Sequence, residues 1–371
     1  MRVLAVTTWL PSPGQPSTGT FVVKDAQAIA SLGHDVALVH LVPPHQSDAP
    51  ARERLGGLPV TRVPMSTSRP DAILRARRAL APLVRSADLV HTMAFSALLP
   101  MAGARPPVPW VHTEHWSGLT APQTLPRAWR ALLPVLRPLL RGPDVATAVC
   151  DYLARPIREV REPAVTAVVP CIVPAPPGGP TPRPADDGEI AMVNVGALVD
   201  RKDPLLAVDV VAELVARGRP ASIRFVGQGD LADAVVARAR DRGVADRVTL
   251  VGSLDRAGVL RELDRADLFL GPTKGDNFYV SCAEAIVSGR PVVVGSTGGQ
   301  GEYIDERVGT TVDVQTAEAY ADAVERVLAR AEGLSAHVIA ATVGDRFEAE
   351  QVAAGYQAAY DRAVAVRARR R

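Results

Sequence analysis

Two carboxylates lie eight positions apart in the segment KGDNFYVSCAEAIVSGRPVVVG (residues 274–295), at Asp276 and Glu284. A pair of acids suggests general acid and base chemistry, as in enzymes that hydrolyse glycosides. Two alternatives require no chemistry, because Ser281 and Glu284 have the spacing of a helix capping box and Asp276 suits a solvated turn. A helix that begins near Phe278 would also leave unpaired backbone N–H groups, which form an anion site.

Other candidate groups follow predicted strands. Arg201 and Lys202 come after the apolar run IAMVNVGAL, where cations could stabilise an anion or simply be surface charge. The run VPWVHTEHW ends at His115, and a histidine there is often structural. His112, Glu114 and His115 do not have the spacing of a metal site, so we expect no bound metal.

The predicted elements place these groups at one edge of each of two sheets. Short apolar strands alternate with helical patterns, both before and after the middle of the chain. This alternation predicts parallel, doubly wound α/β sheets, whose ligands bind at the carboxyl ends of the strands. Residues 43–70 and 116–126 are predicted as first-domain loops.

The chain divides at a Pro- and Gly-rich stretch, PAPPGGPTPRPADDG, which is predicted to be a linker over residues 174–188. We therefore predict a first domain over residues 1–173 and a second over residues 189–349. A terminal helix over about 350–371 is predicted to pack back on the first domain.

Composition limits the function further. The chain has 371 residues, 47% hydrophobic and 22% charged, which suits two soluble domains. It lacks a long apolar span, a disulfide framework and a nucleic-acid-binding module, so we expect a cytoplasmic protein that binds no nucleic acid. Arginines of the stretch PRAWRALLPVLRPLLRG are predicted to share one helical face, which could contact a membrane, hold a phosphorylated acceptor or remain solvated: Arg127, Arg130, Arg137 and Arg141.

Matched position by position, residues 276–293 resemble the E-x7-E segment of family 4 of the retaining GT-B glycosyltransferases, also called glycosyl transferases group 1. The resemblance implies that Asp276 contacts hydroxyls of the donor sugar and that Glu284 holds the ribose. It places a run of backbone amides beside the diphosphate and sugar, those of Phe278, Tyr279, Val280 and Ser281. Asp276 replaces the usual Glu and Tyr279 the usual Gly, and both changes are expected to affect donor selection.

The resemblance extends over nearly the whole chain. Lys202 takes the position of the family's diphosphate-binding Lys, whereas Ala197 stands at the Arg position and leaves Arg201 as a substitute. In the first domain, Gly19 and Thr20 would lie beside the donor phosphate, and His115 takes the position of a His that faces the sugar. The turn STGGQGEYI resembles a family turn that is either scaffold or ligand contact.

The resemblance therefore implies a GT-B fold, two doubly wound Rossmann-like domains facing across a cleft, with the acceptor pocket formed by first-domain loops such as residues 43–70 and 116–126. It implies retaining transfer of a hexosyl or N-acetylhexosaminyl group from a nucleotide-diphosphate sugar, with neither cofactor nor metal. The acceptor would be a hydroxyl of a small molecule or a lipid-linked precursor, with peripheral membrane contact as an option. A GT-B nucleotide-sugar epimerase and a noncatalytic sugar-nucleotide-binding protein are the alternatives.

Overall fold

The computed structural model describes residues 1–15, 18–46, 48–162, 165–184 and 188–369. The chain forms two compact units, one made of Met1–Ile172 with Glu348–Arg371 and the other of Val173–Phe347. Each unit has its own sheet, in which all neighbouring strands of the second unit, and all but one pair of the first, run parallel. The predicted α/β class with two parallel-sheet domains is confirmed.

The helices and strands alternate along the chain. Those that precede residue 170 are β1 (Arg2–Thr7), α1 (Thr20–Ser31), β2 (Asp35–Val42), β3 (Arg52–Leu55), β4 (Leu58–Pro64), α2 (Pro70–Ser86), β5 (Leu89–Met93), β6 (Trp110–Glu114), α3 (Arg127–Leu136), β7 (Val145–Ala148), α4 (Asp151–Arg158) and β8 (Thr166–Val168). Those that follow are β9 (Ile190–Val195), α5 (Pro204–Ala216), β10 (Ala221–Val226), α6 (Ala232–Asp241), β11 (Val248–Gly252), α7 (Arg256–Asp264), β12 (Leu268–Gly271), α8 (Val280–Val287), β13 (Val292–Gly295), β14 (Gly309–Val312), α9 (Ala317–Ala331), α10 (Ala336–Ala341) and α11 (Ala349–Arg369).

The sheet of the first unit has the strand order β3-β4-β2-β1-β5-β6-β7-β8. Its central strands are buried on both faces, as their continuous apolar runs predict. The prediction of a loop throughout residues 43–70 is wrong, because β3 and β4 form an antiparallel hairpin there. Gly56 and Gly57 make its two-residue turn with φ of 55° and 84°, a backbone that glycine adopts without strain.

The sheet of the second unit has the order β11-β10-β9-β12-β13-β14. The first strand of this unit, β9, lies in the middle of the sheet and pairs with β12, although the end of β9 at Val195 and the start of β12 at Leu268 are 73 positions apart in the chain. Their carboxyl ends consequently lie side by side. The core beneath is made of apolar residues, largely from β9, β10, α5 and α9, among them Val208, Phe225 and Val324.

The predicted linker is irregular but is held by the second unit. The buried guanidinium of Arg290 donates hydrogen bonds to the carbonyl oxygens of Thr181 and Pro182 at 2.9 and 3.2 Å. Arg256 donates to the carbonyl oxygens of Pro174 and Ala175. Residues 185–187 of the predicted linker lie outside the described residues.

The last helix, α11, packs in the first unit against α1. Buried residues along one of its faces, including Val352, Tyr356 and Tyr360, belong to the core of that unit. The hydroxyl of Tyr356 donates a hydrogen bond of 2.8 Å to the carboxylate of Asp25 in α1. Residues 370 and 371 of the predicted terminal helix lie outside the described residues.

Candidate active site

The loop between β12 and α8 carries the first acid of the pair, Asp276. One of its carboxylate oxygens, Oδ1, accepts a hydrogen bond of 3.1 Å from the backbone N–H of Tyr279, the residue that precedes α8. The loop is supported from below by Gly298, where a Cβ would lie 1.9 Å from the carbonyl oxygen of Asp276. The Gly-rich turn that resembles the family's turn thus has a scaffold role, which holds the Asp276 loop in place.

Two cations converge on the other carboxylate oxygen of Asp276. Arg201 Nη1 lies 2.6 Å and Lys202 Nζ 2.8 Å from Asp276 Oδ2. They follow β9, so the adjacency of β9 and β12 brings them to the acid from more than 70 residues away in the chain. Arg201 also donates a hydrogen bond of 2.8 Å to the carbonyl oxygen of Gly275, which keeps its side chain across the loop.

This ion cluster determines the charge of its members. Burial by itself would raise the pKa of Asp276, but the positive charges of Lys202 and Arg201 outweigh burial and lower that pKa to about 2. Burial also lowers the pKa of Lys202, against the opposing effect of Asp276. Asp276 is therefore ionised throughout the physiological range and is unsuited to donate or take up a proton there.

The second acid, Glu284, lies within α8, three residues after Ser281. The capping-box alternative is wrong, because α8 begins at Val280 after Tyr279 and Ser281 is already helical. The Ser281 hydroxyl instead donates a hydrogen bond of 2.7 Å to the carbonyl oxygen of Val195 at the end of β9. First-turn amides of a helix have no acceptor within the helix, so Val280 and Ser281 can offer their N–H groups to an anion.

The side chains of Phe278 and Tyr279 point into the core. Phe278 packs with Phe347 and Tyr303, and the Tyr303 hydroxyl donates hydrogen bonds to the carbonyl oxygens of Phe278 and Tyr279 at 2.8 and 3.0 Å. Sequence reasoning missed Tyr303, which fixes the approach to α8. Lys202 Nζ lies 3.4 Å from the centre of the Tyr279 ring, an arrangement that stabilises the buried ammonium group.

Tyr279 is only 1% exposed, which contradicts the expectation that its bulk bears directly on the donor. Its backbone explains why the family has Gly at this position. The φ angle of Tyr279 is 56°, in the left-handed region that glycine favours. The substitution therefore adds a core contact beneath Lys202 and strains the backbone at the start of α8.

In the first unit, Gly19 immediately precedes α1 with a φ of 67°. A Cβ at this position would lie 2.3 Å from the carbonyl oxygen of Trp9, so only glycine lets the two segments approach. Thr20 opens the helix and is exposed. Contact of Gly19 and Thr20 with a donor phosphate stays a prediction.

His115 follows β6 and lies beside α1. Its ring packs on Phe21 with 4.4 Å between ring centres, and its Nε2 lies 3.8 Å from Asp25 Oδ2. The carboxylate of Glu114 accepts hydrogen bonds from the backbone N–H groups of His115 and Trp116 at 3.0 and 2.8 Å, which fixes the turn after the strand. Burial and the neighbouring His112 lower the pKa of His115 to about 3, so its imidazole is neutral at physiological pH.

Asp25, beside His115, is a candidate site residue that sequence reasoning missed. Burial raises the pKa of Asp25 to about 7, although the hydroxyl of Tyr356 and the charge of Lys24 act in the opposite direction. Its signal in the sequence is its helical phase, since it lies three residues after Val22 and four before Ile29 on the buried face of α1. Its exposed neighbour Lys24 was the more visible charge.

The predicted arginine face is only partly present. Helix α3 ends at Leu136 and a short 3-10 helix that contains Pro138, Arg137–Arg141, follows it, so the four arginines do not share one continuous α-helix. Arg137 donates to the carbonyl oxygen of Pro156 and the carboxylate of Glu159, and Arg141 donates to a backbone carbonyl. Two of the four are therefore engaged within their own unit.

Within the part of the chain that the structure describes, no helix combines the length and the apolar character needed to cross a membrane. Across the same residues, no cluster of three or more His, Cys, Asp or Glu side chains is placed to hold a metal ion.

Comparison with known proteins identifies the family. The model described as Glycosyl transferases group 1 matches residues 181–341, and the model described as Glycosyltransferase Family 4 matches residues 18–175. One match falls on each of the two parallel-sheet units. The chain belongs to the GT-B glycosyltransferases of group 1 and family 4.

Individual relatives are similar to this chain at low identity and over only part of its length. The D-inositol 3-phosphate glycosyltransferase of Mycobacteroides abscessus is 30% identical over 196 residues, which are 51% of this chain and 44% of that protein. The alpha-D-kanosaminyltransferase of Streptomyces kanamyceticus is 26% identical over 144 residues, 38% of this chain and 37% of that protein. The matched regions thus span less than half of the relatives' own length.

Solved structures share the fold at low sequence identity. A sucrose-phosphate synthase from Thermosynechococcus elongatus covers 98% of this chain and 100% of its own, with 20% identity and a TM-score of 0.76. The Anabaena protein HepE, solved in complex with UDP, covers 97% of this chain and 100% of its own, with 15% identity and a TM-score of 0.75.

Proposed function

We propose that this protein transfers a sugar from a nucleotide-diphosphate donor to an acceptor hydroxyl with retention of the anomeric configuration. The observation that carries the proposal is the convergence of Arg201, Lys202 and Asp276 beside the first turn of α8. Two cations and the free amides of a helix N-terminus make a site for a diphosphate, and the adjoining carboxylate can accept hydrogen bonds from sugar hydroxyls.

The proposed reaction requires this site to stabilise the departing nucleoside diphosphate. The bond between the anomeric carbon and the diphosphate oxygen breaks, and the acceptor oxygen bonds to the same carbon from the same face. The acceptor proton passes to an oxygen of the departing diphosphate. Arg201, Lys202 and the amides of Val280 and Ser281 offset the negative charge that grows there, an effect worth about 10²- to 10³-fold in rate for each such donor removed in other enzymes.

The protonation states support these roles. Asp276, with a pKa of about 2, serves as a hydrogen-bond acceptor and not as an acid. A neutral His115 is suited to hydrogen bonding with a sugar hydroxyl and not to proton uptake. Neither group competes with the diphosphate oxygen for the acceptor proton.

Glu284 is proposed to anchor the ribose of the donor. Glu284→Gln is expected to weaken donor binding by about tenfold or more in a protein that stays folded. Glu318→Gln in the first turn of α9 is the matched control, because Glu318 is an exposed helical glutamate of the same unit. A fall in stability without a change in donor binding would contradict the anchor role.

The function is tested by a thermal-shift panel of UDP, GDP, ADP and dTDP sugars, followed by mass detection of products with candidate acceptors. We expect one nucleotide series to raise the unfolding temperature and acceptor-dependent release of its nucleoside diphosphate. An epimerase would convert the donor without any acceptor, and a noncatalytic binding protein would show the thermal shift alone. Absence of any shift across the panel would refute nucleotide-sugar binding.

A further inference from the structure

The first unit contains a pocket of about 640 Å³ at the carboxyl ends of its strands. Its walls come from the segments that follow β1, β2, β4, β5 and β6, and from the start of α3. In open α/β sheets this edge is where ligands bind, and a pocket of this volume holds a molecule of drug size. We call it the tryptophan pocket, because it is lined by three of the four tryptophans of the chain, Trp9, Trp116 and Trp129.

The aromatic walls are built and fixed. Trp116 packs on Phe95 with 5.3 Å between ring centres, and its backbone N–H is held by the carboxylate of Glu114. A Cβ at Gly118 would lie 2.2 Å from the Trp116 indole, so glycine at this position gives the ring its place. Leu41 and Met65, each 1% exposed, form an apolar floor.

The polar groups of the pocket are all uncharged. Hydroxyl and amide side chains interrupt the aromatic surface: Thr8, Gln15, Thr18, Gln46, Thr67 and Ser96. The hydroxyls of Thr8 and Ser96 share a hydrogen bond of 2.6 Å, and each keeps further capacity to bond a ligand hydroxyl. Among the residues that the structure describes, none that lines the tryptophan pocket carries an ionisable side chain.

The buried guanidinium of Arg62 in β4 does not supply a positive charge to the tryptophan pocket. Arg62 of β4 is 2.6 Å from the carboxylate of Glu53 and donates hydrogen bonds to the carbonyl oxygens of Pro11 and Pro50. Its charge is therefore balanced by Glu53, and both of its terminal nitrogens already donate hydrogen bonds within the unit. A phosphate monoester placed in the tryptophan pocket would lose hydration without gaining a cation, which is strongly unfavourable.

We propose that the tryptophan pocket binds the acceptor, and that this acceptor presents a neutral, hydroxylated ring and not a phosphate. This inference rests on the proposed glycosyl transfer, which it deepens by naming the acceptor class. Indole rings pack on the apolar face of such a ring, while Thr, Ser and Gln side chains pair its hydroxyls. The acceptor chemistry therefore differs from that in the name of the D-inositol 3-phosphate glycosyltransferases to which the chain is similar.

The distribution of tryptophans gives a direct assay. The full chain labelled with 5-fluorotryptophan has four ¹⁹F resonances, which single Trp→Phe variants assign. Trp110 is the internal control, since it is buried in β6 and does not line this pocket. The probes are two matched pairs: phenyl β-D-glucopyranoside with its 6-phosphate, and myo-inositol with D-myo-inositol 3-phosphate.

We expect the neutral member of at least one pair to shift the Trp9, Trp116 and Trp129 resonances in a saturable way and to leave Trp110 unchanged. Its phosphate should bind at least tenfold more weakly. Trp129→Ala should weaken binding of the neutral ring by about tenfold. Leu132→Ala, on the same helix but outside the pocket and 45% exposed, should not change it.

The inference is overturned if the phosphates bind as tightly as their neutral partners. It is also overturned if no probe shifts the three pocket resonances at concentrations up to tens of millimolar. This readout needs no donor, so it is independent of the nucleotide panel. A chain that binds a nucleotide sugar but no neutral ring refutes only the acceptor inference, whereas the reverse result refutes only the donor site.

Discussion

Removal of the Asp276 carboxylate should both destabilise the free protein and tighten its binding of a nucleoside diphosphate. In Asp276→Asn the amide can still accept the hydrogen bond from the Tyr279 N–H, so the start of α8 stays in place. The Arg201 and Lys202 cations, however, lose their partner. A bound diphosphate then no longer competes with the Asp276 carboxylate for the two cations, and it is no longer repelled by that carboxylate.

The size of the destabilisation follows from the pKa of Asp276. A fall from the ordinary 3.8 to about 2 corresponds to about 2 kcal/mol of stabilisation in the ionised state. Lys202, whose side chain is only 10% exposed, would in addition be left without its carboxylate, and such breaks cost about 3–5 kcal/mol. We expect a loss of about 2–5 kcal/mol at pH 7 and about tenfold tighter binding of the nucleoside diphosphate.

Acid titration provides a second signature of the same change. A depressed pKa contributes stability that is complete above about pH 4 and is lost as the pH falls toward 2. The wild type should therefore lose about 2 kcal/mol over this range that Asp276→Asn does not lose. Asp305→Asn is the matched control for nucleotide binding, because Asp305 of the same unit also has a pKa of about 2 but is paired with Arg307 and not with the two cations of the site, so its loss should leave nucleotide affinity unchanged.

Hydrogen exchange of peptides from residues 268–295 measures the opening free energy of the second unit, and calorimetric titration measures nucleotide affinity. All four tryptophans belong to the first unit, so their fluorescence would not report this change directly. Weaker nucleotide binding by Asp276→Asn, or an acid limb identical to that of the wild type, would refute the assignment of the carboxylate as a competitor for the two cations.

Three further predictions concern groups that the fold places under strain or in burial. The folded protein keeps a proton on Asp25 up to about pH 7, whereas the unfolded chain releases it near pH 4. Asp25→Asn should therefore gain stability relative to the wild type as the pH rises, by on the order of 4 kcal/mol between pH 4 and 8 in urea unfolding. A difference in stability that does not change with pH would contradict this. Gly19→Ala should cost at least about 2 kcal/mol by tryptophan fluorescence, and more than Gly33→Ala, where φ is also positive but a Cβ meets open space. Tyr279→Phe should leave stability unchanged or raise it by up to about 1 kcal/mol, since the buried hydroxyl has no hydrogen-bond partner among the described residues and the ring remains beneath Lys202; a marked loss in calorimetry would show that the hydroxyl is needed.

Much of the fold could be predicted because its signals are local. Apolar runs of the strands and the helical spacing between them repeat within short windows, so the α/β class follows from the sequence. The hairpin of β3 and β4 was missed because β3 is a short edge strand with three consecutive charged residues and no fully buried residue, so it has no apolar run to detect. Its one clear signal, the Gly56-Gly57 pair, lies in a region predicted to be a loop.

Part of the candidate site could likewise be predicted from local spacing, and part could not. Asp276, Glu284 and the amides between them lie in one strand-loop-helix segment, and their spacing was visible at once. The same spacing also predicted a capping box for Ser281, which is wrong because the helix begins at Val280 and not after Ser281. A shift of two residues at a helix start changes which side chain caps it, and sequence alone does not resolve such boundaries.

By itself the sequence determined the class of the fold, because this depends on local periodicity, and its resemblance to the family supplied the candidate donor residues. Only the tertiary structure decided which distant groups meet. Arg201 and Lys202 reach Asp276 because β9 pairs with β12, and Asp25 meets Tyr356 because α11 packs on α1. The physical reason is that burial and Coulomb energy depend on distance in space, which strand order and helix packing set independently of separation in the chain.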